Sequence, residues 1–176
     1  LHQGRVDPRT LSERYTLPPR EAFDAAALLR EALARGPLPG AMADAVAAAA
    51  PALPAYARLR EALASYRVLS GHPAWREPLP ALPKRGKLEP GEAWSGLQRM
   101  AERLAALGDL ATPAPAVRLE GPLLDGLRNF QRRHGLADDG VLGRGTLAAL
   151  QVTPAARARQ IELTLERLRW TPLLQG

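Results

Sequence analysis

The stretch that decides the fold covers residues 130–150 and reads FQRRHGLADDGVLGRGTLAAL. Gly135 follows a helical apolar pattern, and a left-handed glycine after the last helical turn is a common way to end a helix. The leucine after it would fold back onto Phe130, the hydrophobic contact that accompanies this stop. Asp139 and Gly140 predict a tight turn, in which the carboxylate accepts backbone N–H groups. The stretch therefore predicts a helix, a sharp stop, a compact turn and a second helix.

The remaining side chains of this stretch also have structural reasons to be there. Phe130 is expected at the centre of a small bundle, with Val141 and Leu142 filling the core between its helices. Gln131, expected to be half-buried, can bridge two loops through its amide. Thr146 can bond back into the turn or toward the free N–H groups that begin the next helix. The motif is therefore predicted to be a folding signature before it is a set of ligand contacts.

Apolar residues at spacings of three and four extend the helical pattern on both sides of this stretch. After the pair Pro18 and Pro19, a first helix is expected from about residue 20 to residue 34, and an alanine-rich one over residues 41–50. The apolar faces of the predicted helices are Phe23, Ala26, Leu29 and Leu33; Tyr56, Leu59, Leu63 and Tyr66, which should be buried; Trp94, Leu97, Ala101, Leu104 and Leu107; Leu123 or Leu124, Leu127 and Phe130; Leu147 and Leu150; and Ile161, Leu165 and Leu168.

Residues 71–91 interrupt the helices with five prolines in 21 positions. Proline lacks the N–H that helix interiors and central strands need, so this segment is expected to be a linker or a long surface connection. It is also the best candidate for a domain boundary. Trp75 lies within it, and we expect its large ring to fix the loop against a helix.

Composition points to an all-α protein and excludes several kinds of chemistry. Alanine (33) and leucine (31) dominate the 176 residues, whereas valine, isoleucine and threonine together number 14. This balance favours helices over sheets. The absence of cysteine excludes a disulfide scaffold, a thiolate zinc site and a cysteine nucleophile. Residues 138–140 read Asp-Asp-Gly but lack the other ligands of a calcium loop, so neither a metal nor a cofactor is expected.

The charge balance is basic, with 24 Lys and Arg against 18 Asp and Glu, and 22 of the 24 are arginine. Two interpretations stay open: a surface for polyanions, or the compositional bias of a GC-rich genome. Nucleic-acid binding is disfavoured because the turn over residues 135–143 is longer than the turn of a helix-turn-helix motif. No run of 18 apolar residues occurs, so no membrane span is expected in this chain.

Residues 92–151 resemble the peptidoglycan-binding-like three-helix domain that accompanies many cell-wall enzymes. The resemblance is carried by the order of Phe130-Gln131, a short spacer, Gly135, the Asp-Gly pair, Gly143 and Thr146. It implies an all-α architecture in which a helical scaffold precedes a three-helix bundle. It also implies peptidoglycan as the partner, with no nucleic acid involved.

The flanking segments resemble one subgroup of the L,D-transpeptidases. The matching stretches are PALPAYARLREALASYR at residues 51–67, LEPGE at 88–92 and ARQIELTLERLRWTP at 158–172. The resemblance implies a scaffold over residues 1–84, a peptidoglycan-binding-like domain over 85–152, and a linker helix over 153–176 that leads to a catalytic domain outside this chain. Both ends of the sequence are accordingly expected to be cuts through a longer protein.

Members of that family use a cysteine thiolate to attack a peptidoglycan stem and form 3-3 crosslinks. This chain has no cysteine, and its histidines at positions 2, 72 and 134 lie beside no nucleophile motif, so we expect it to be non-catalytic. The resemblance implies a periplasmic location, with the parent protein free or anchored to the inner membrane. Its own catalytic domain is then a further partner.

Stem peptides carry free carboxylates, which arginine can bind through two parallel N–H bonds. The basic residues nearest the motif loops, and therefore the expected ligand contacts, are Arg132, Arg133, His134 and Arg144. Two alternatives remain: a protein–protein scaffold without sugar binding, and an accessory binding domain of a cell-wall hydrolase.

Overall fold

The computed structural model describes residues 24–35, 53–113 and 115–170, together with residues 5, 10, 40, 43, 45, 47, 50 and 51. The chain divides into two compact units. Residues 66–157 form one unit, and residues 1–65 with 158–176 form the other. The domain boundaries expected after residues 84 and 152 stay predictions.

The all-α prediction is confirmed: six helices and one minimal ladder are described. The helices are α1 (Ala25–Arg35), α2 (Pro54–Val68), α3 (Leu97–Ala106), α4 (Gly121–Arg133), α5 (Arg144–Gln151) and α6 (Pro154–Trp170), with 3-10 turns at Leu69–Gly71 and Pro73–Trp75. Strands β1 (Lys87–Leu88) and β2 (Leu142–Gly143) pair antiparallel, with Lys87 opposite Gly143. Within the described residues, no helix has the length and apolar character needed to cross a bilayer.

The core of the unit formed by residues 66–157 is built where α3 packs against α4. Phe130 lies at its centre with 1% of its surface exposed, which confirms the predicted position. Each strand of the ladder contributes one fully buried leucine to the same core. The other members with almost no exposed surface are Leu97, Met100, Ala101, Leu104, Leu119, Leu127 and Leu150.

The predicted helix stop at Gly135 is confirmed. Gly135 has a φ of +66°, and its N–H donates to Arg132 O at 3.2 Å. The N–H of Leu136 donates to Gln131 O at 2.9 Å. These two bonds are the pair that defines a Schellman ending, and they satisfy carbonyls that the helix would otherwise leave free.

Gln131 bridges the turn that follows, but it is fully buried rather than half-buried. Its Nε2 donates to Val141 O at 3.0 Å, to Asp139 Oδ1 at 3.2 Å and to Thr146 Oγ1 at 3.4 Å. Its Oε1 accepts from the N–H of Gly140 at 3.0 Å. Burial is tolerated because both ends of the amide have partners. Asp139 in turn accepts from the N–H of Val141 at 2.9 Å, as the Asp-Gly turn predicted.

The proline-rich segment is a surface connection whose carbonyls are held by side chains. Ala74 O accepts from Arg103 Nε at 2.9 Å, Pro78 O from Arg99 at 2.6 Å, and Ala81 O from the Trp94 indole at 3.0 Å. Leu79 lies in the core. Prolines remove N–H donors from such a segment, so side chains of the bundle supply the hydrogen bonds that keep it in place.

Arg103 of α3 is the most unusual of these donors, because its side chain is 1% exposed. Its guanidinium donates to Ala74 O, to Glu77 O and, at 3.0 Å, to Leu150 O. It also lies 5.5 Å from the centroid of the Trp75 ring, so Trp75 fixes the loop to a helix as expected. Burial, together with the charge of Arg99, lowers the pKa of Arg103. The cation is held by backbone dipoles and one aromatic face.

In the other unit, α1 departs from its predicted face. The helix begins at Ala25, because the Asp24 carboxylate accepts from the N–H of Ala27 at 2.9 Å and caps it. Ala32 is buried beside Ala45, whereas Leu29 and Leu33 are 41% and 51% exposed. The small alanines allow close packing on that side. The remainder of the helix expected over residues 41–50 lies outside the described residues.

Helix α2 confirms part of its predicted apolar face: Tyr56 and Leu63 are buried, and Leu59 and Tyr66 are half-buried. The Tyr56 hydroxyl accepts from Arg169 Nε of α6 at 2.9 Å, and Arg169 also pairs with Glu166 at 3.1 Å. Along the stripe expected on α6, Leu165 is buried, whereas Ile161 and Leu168 are half-buried.

Candidate functional site

The four predicted contact residues fall at two places, the end of α4 and the start of α5. Arg132 lies at the end of α4 and is exposed. Its Nε donates to Asp138 at 3.0 Å, and a second nitrogen donates to Asn129 at 3.3 Å. Arg132 therefore already ties the helix end to the loop that follows, through an exposed pair that is weak in water.

Arg133 makes a firmer contact with Asp109, at the end of the turn after α3. Nε donates to Oδ1 at 3.0 Å and a terminal nitrogen donates to Oδ2 at 2.6 Å. The Asp109 side chain is only 6% exposed, so Arg133 supplies hydrogen bonds that water cannot readily reach. The bond to Asp109, helped by Tyr66 and opposed by burial, raises the pKa of Arg133. A bidentate pair of this kind is a strong structural link.

His134 packs into the fold next to Arg133. Its ring stacks on Phe130 with centroids 3.9 Å apart, and its Nδ1 lies 2.9 Å from Phe130 O. Burial, reinforced by the positive charges of Arg133 and Arg157, lowers the pKa of His134. The backbone bond and the Asp109 carboxylate act in the opposite direction. The neutral ring is thus favoured, which makes it a poor binder of anions.

Arg144 has a different environment at the first position of α5. It is exposed, and among the described residues it has neither a carboxylate partner nor a side-chain hydrogen bond. Its guanidinium passes close to Gly86, where an added Cβ would lie 3.3 Å from Arg144 Nε. Gly86 also has a φ of +78°, which L side chains rarely adopt. A glycine at this position therefore leaves room for the guanidinium.

The β1–β2 ladder places more cations beside Arg144. Lys84 and Arg85 occupy the centre of a turn closed by the N–H of Gly86, which donates to Pro83 O at 2.7 Å. Lys87 begins β1. We call the four cations Lys84, Arg85, Lys87 and Arg144 the basic corner. The sequence alone does not reveal it, because two-residue strands have no periodic pattern that would bring residue 86 to residue 144.

Two carboxylates neutralise part of the basic corner. Arg85 pairs with Glu92, and Lys87 pairs with Glu89 at 2.6 Å. The bond to Lys87, with the charges of Lys87 and Arg85, lowers the pKa of Glu89 despite partial desolvation. Glu89 is therefore ionised at neutral pH.

A groove of about 450 Å³ lies along the connection between α3 and α4. Its apolar wall includes Leu110 and Val117, and its polar members include Arg118 and Glu120. Arg118 donates to Gly91 O at 2.7 Å, which fixes one side of the groove. None of the four predicted residues lines it. Residues 111–118 read ATPAPAVR and have no helical or strand periodicity, so sequence patterns gave no signal for it.

Within residues 24–35, 53–113 and 115–170 and the eight single positions, no three His, Asp or Glu side chains are grouped as metal ligands. Asp138, part of the Asp-Asp-Gly sequence, accepts a hydrogen bond from Arg132. Asp139 accepts one from the backbone N–H of Val141 in the turn.

Two family models match the chain, and the one over residues 95–150 supports binding to the cell wall. Residues 95–150 match the model described as "Putative peptidoglycan binding domain", and residues 1–63 match the one described as "Scaffold domain". The matches support a helical, non-catalytic region that binds the cell wall. Peptidoglycan is accordingly supported as the partner, and the cell envelope as the location. No curated protein matches the chain.

Proposed function

We propose that this chain is the wall-binding and scaffolding region of an L,D-transpeptidase that makes 3-3 crosslinks in the periplasm. The observation that carries the wall-binding part is the match of residues 95–150 to the peptidoglycan-binding model. The helix stop, the Asp-Gly turn and the Gln131 network support it, because they give physical reasons for the motif on which the resemblance rests.

The transpeptidase part of the proposal rests on the resemblance of residues 51–67, 88–92 and 158–172 to that family. The chain supplies no thiolate, so the nucleophile would belong to a catalytic domain encoded after residue 176. The gene downstream should then contain a cysteine in a motif with a histidine and glycines. A downstream glycoside hydrolase or amidase domain would replace the transpeptidase with a wall hydrolase.

The four residues predicted from the sequence stay proposed contacts for stem carboxylates, but they differ in how available their side chains are. Arg132 and Arg133 would have to exchange the carboxylates that they already hold, and His134 is stacked in the fold. Arg144 needs no such exchange. We therefore place the main ionic contact at Arg144 and propose that the groove between α3 and α4 receives the less polar part of the polymer.

Co-sedimentation of the 176-residue chain with purified sacculi tests the wall-binding proposal. We expect the chain to pellet with sacculi, and the bound fraction to fall as salt rises, because exposed charges are screened over about 8 Å at physiological ionic strength. A helical protein of the same net charge serves as the control for unspecific attraction. A chain that stays in the supernatant at low salt would overturn the proposal.

The match of residues 1–63 to a scaffold model favours a second candidate, a region that holds partner proteins. In this second candidate the chain binds a protein, whereas in the first it binds peptidoglycan. If sacculi digested to soluble fragments fail to compete with intact sacculi, and protease-treated sacculi no longer retain the chain, the bound component is a wall-attached protein. Retention that survives protease treatment favours peptidoglycan itself.

A further inference from the structure

We propose that Lys84 and Arg144 form an anion site that takes the paired carboxylates of a peptidoglycan stem peptide. This inference rests on the proposed wall binding and names the chemical group that is bound. It adds Lys84, which belongs to the proline-rich segment and not to the motif. The groove between α3 and α4 is a separate feature and is not part of this site.

The short ladder brings the two cations to one corner of the unit. Lys87 pairs with Gly143 in register, so the turn before β1 lies next to the residue after β2. Arg144 packs against that turn at Gly86, where the missing side chain admits the guanidinium. Lys84 occupies the same turn, two residues earlier. Residues 60 positions apart in sequence therefore share one surface.

The charges of the basic corner leave two cations without partners. Of its four cations, Arg85 is paired with Glu92 and Lys87 with Glu89. Among the residues that the structure describes, Lys84 and Arg144 have no acidic partner, and both are exposed. The local balance is four positive charges minus two negative charges, or +2. A ligand with two nearby carboxylates would neutralise that balance.

The chemistry of the two side chains favours such a ligand. The flat guanidinium of Arg144 lies close to the backbone at Gly86 and can hold one carboxylate through two parallel N–H bonds. Lys84 adds a flexible point charge that can reach a second carboxylate. Within the described residues this corner offers two unpaired cations, whereas nucleic-acid binding rests on many phosphate contacts. A short dicarboxylate is therefore the better complement.

The experiment is a titration of the 176-residue chain with the synthetic tetrapeptide L-Ala–D-Glu–diaminopimelate–D-Ala, followed by backbone NMR shifts and calorimetry. We expect shifts concentrated in residues 84–87 and 142–145. The double variant Lys84→Gln/Arg144→Gln should weaken binding about tenfold or more, because charge-assisted bonds are lost. The matched variant Arg76→Gln/Arg159→Gln also removes two exposed positive charges, but away from the basic corner in sequence, and should bind like the wild type.

Two further probes decide between carboxylate recognition and simple charge attraction. The same tetrapeptide with its carboxylates amidated should bind at least about tenfold more weakly. Inorganic phosphate should compete poorly; phosphate binding as tight as that of the tetrapeptide would overturn the carboxylate assignment. Equal weakening by both double variants would overturn the site as well.

The outcomes also separate this site from the proposed function. If sacculi retain the wild type and the Lys84→Gln/Arg144→Gln variant equally, wall binding stands and the site is wrong. If sacculi do not retain the wild type, the proposed function fails, and tetrapeptide shifts at residues 84–87 then report an anion site unrelated to the wall. Unchanged melting temperatures in both double variants show that the comparison concerns binding and not folding.

Discussion

Arg103 and Arg144 place the same side chain in two contrasting environments of one folded unit, the interior and the surface. The guanidinium of Arg103 lies in the interior of α3, where three backbone carbonyls and the Trp75 ring surround it. That of Arg144 lies at the basic corner, exposed and without an acidic partner among the described residues. The first satisfies carbonyls that the proline-rich segment and α5 leave free, whereas the second remains available to a ligand.

The difference shows why net charge is a poor guide to this protein's surface. The chain carries +6, and 22 of its cations are arginine. Arg103 is internal, Arg133 is committed to a nearly buried carboxylate, and Arg169 is held by Tyr56 and Glu166. Such side chains stabilise the fold and contribute little to binding. The cations available to a ligand are those that have no such structural partner.

The largest expected effect comes from removing the interior guanidinium. Arg103→Met keeps the apolar stem but leaves the carbonyls of Ala74, Glu77 and Leu150 without their donor. Buried unsatisfied polar groups are costly, so we expect a loss of about 3 kcal/mol or more in the free energy of unfolding. Urea denaturation followed by tryptophan fluorescence measures it, since Trp75 and Trp94 both lie in this unit. Arg76→Met, at an exposed position, is the control, and equal midpoints for the two variants would contradict the interior role.

A smaller effect on the free energy of unfolding should distinguish Arg133 from Arg144, both of which the sequence predicts as ligand contacts. Arg133→Glu would place a carboxylate against Asp109, and we expect a loss of about 2 kcal/mol, moderated by the partial exposure of Arg133. Arg144→Glu faces no acidic partner within the described residues and should change stability by less than about 0.5 kcal/mol. Thermal melts of the two single variants make the comparison. Equal losses would mean that Arg144 also has a structural role.

The smallest effect concerns the pH dependence of His134. Because its pKa is lowered in the folded chain by burial, Arg133 and Arg157, the unfolded state takes up this proton first as the pH falls. The stabilising contribution is therefore present above about pH 6.5 and is lost as the pH falls through the lowered folded value. Asp109 also faces the ring and limits the shift. We expect the melting temperature to fall less between pH 7 and pH 5, relative to its value at pH 7, in His134→Phe than in the wild type; identical curves would contradict this account.

Much of the bundle could be predicted because its signals are local. Gly135 takes a positive φ for reasons contained in four or five neighbouring residues, and the Asp139-Gly140 turn is similarly short in range. The burial of Phe130 follows from helical spacing. These features depend on backbone geometry and apolar pattern, which a single sequence displays directly.

The environments of Arg103 and Arg144 depend on residues that are distant in sequence. Helical spacing places Arg103 on the same face as Met100, yet a charged residue is assigned to solvent unless its acceptors are known. Those acceptors lie at residues 74, 77 and 150. In the same way, only the ladder reveals that Gly86 meets Arg144. For α1, the spacing predicted that Leu29 and Leu33 lie on the buried face, whereas the face that is buried contains Ala32.

The side-chain hydrogen bonds to the carbonyls of residues 74–81 have a consequence for proteolytic cleavage of this chain. A protease must draw several consecutive residues into an extended strand within its cleft, and it needs their backbone groups for its own hydrogen bonds. Here Arg99, Arg103 and Trp94 already occupy the carbonyls of Pro78, Ala74 and Ala81, and Leu79 is anchored in the core. A segment whose composition suggests an easily cut hinge is thus protected in the native chain, so nicking there would report unfolding of the bundle and not the position of a boundary.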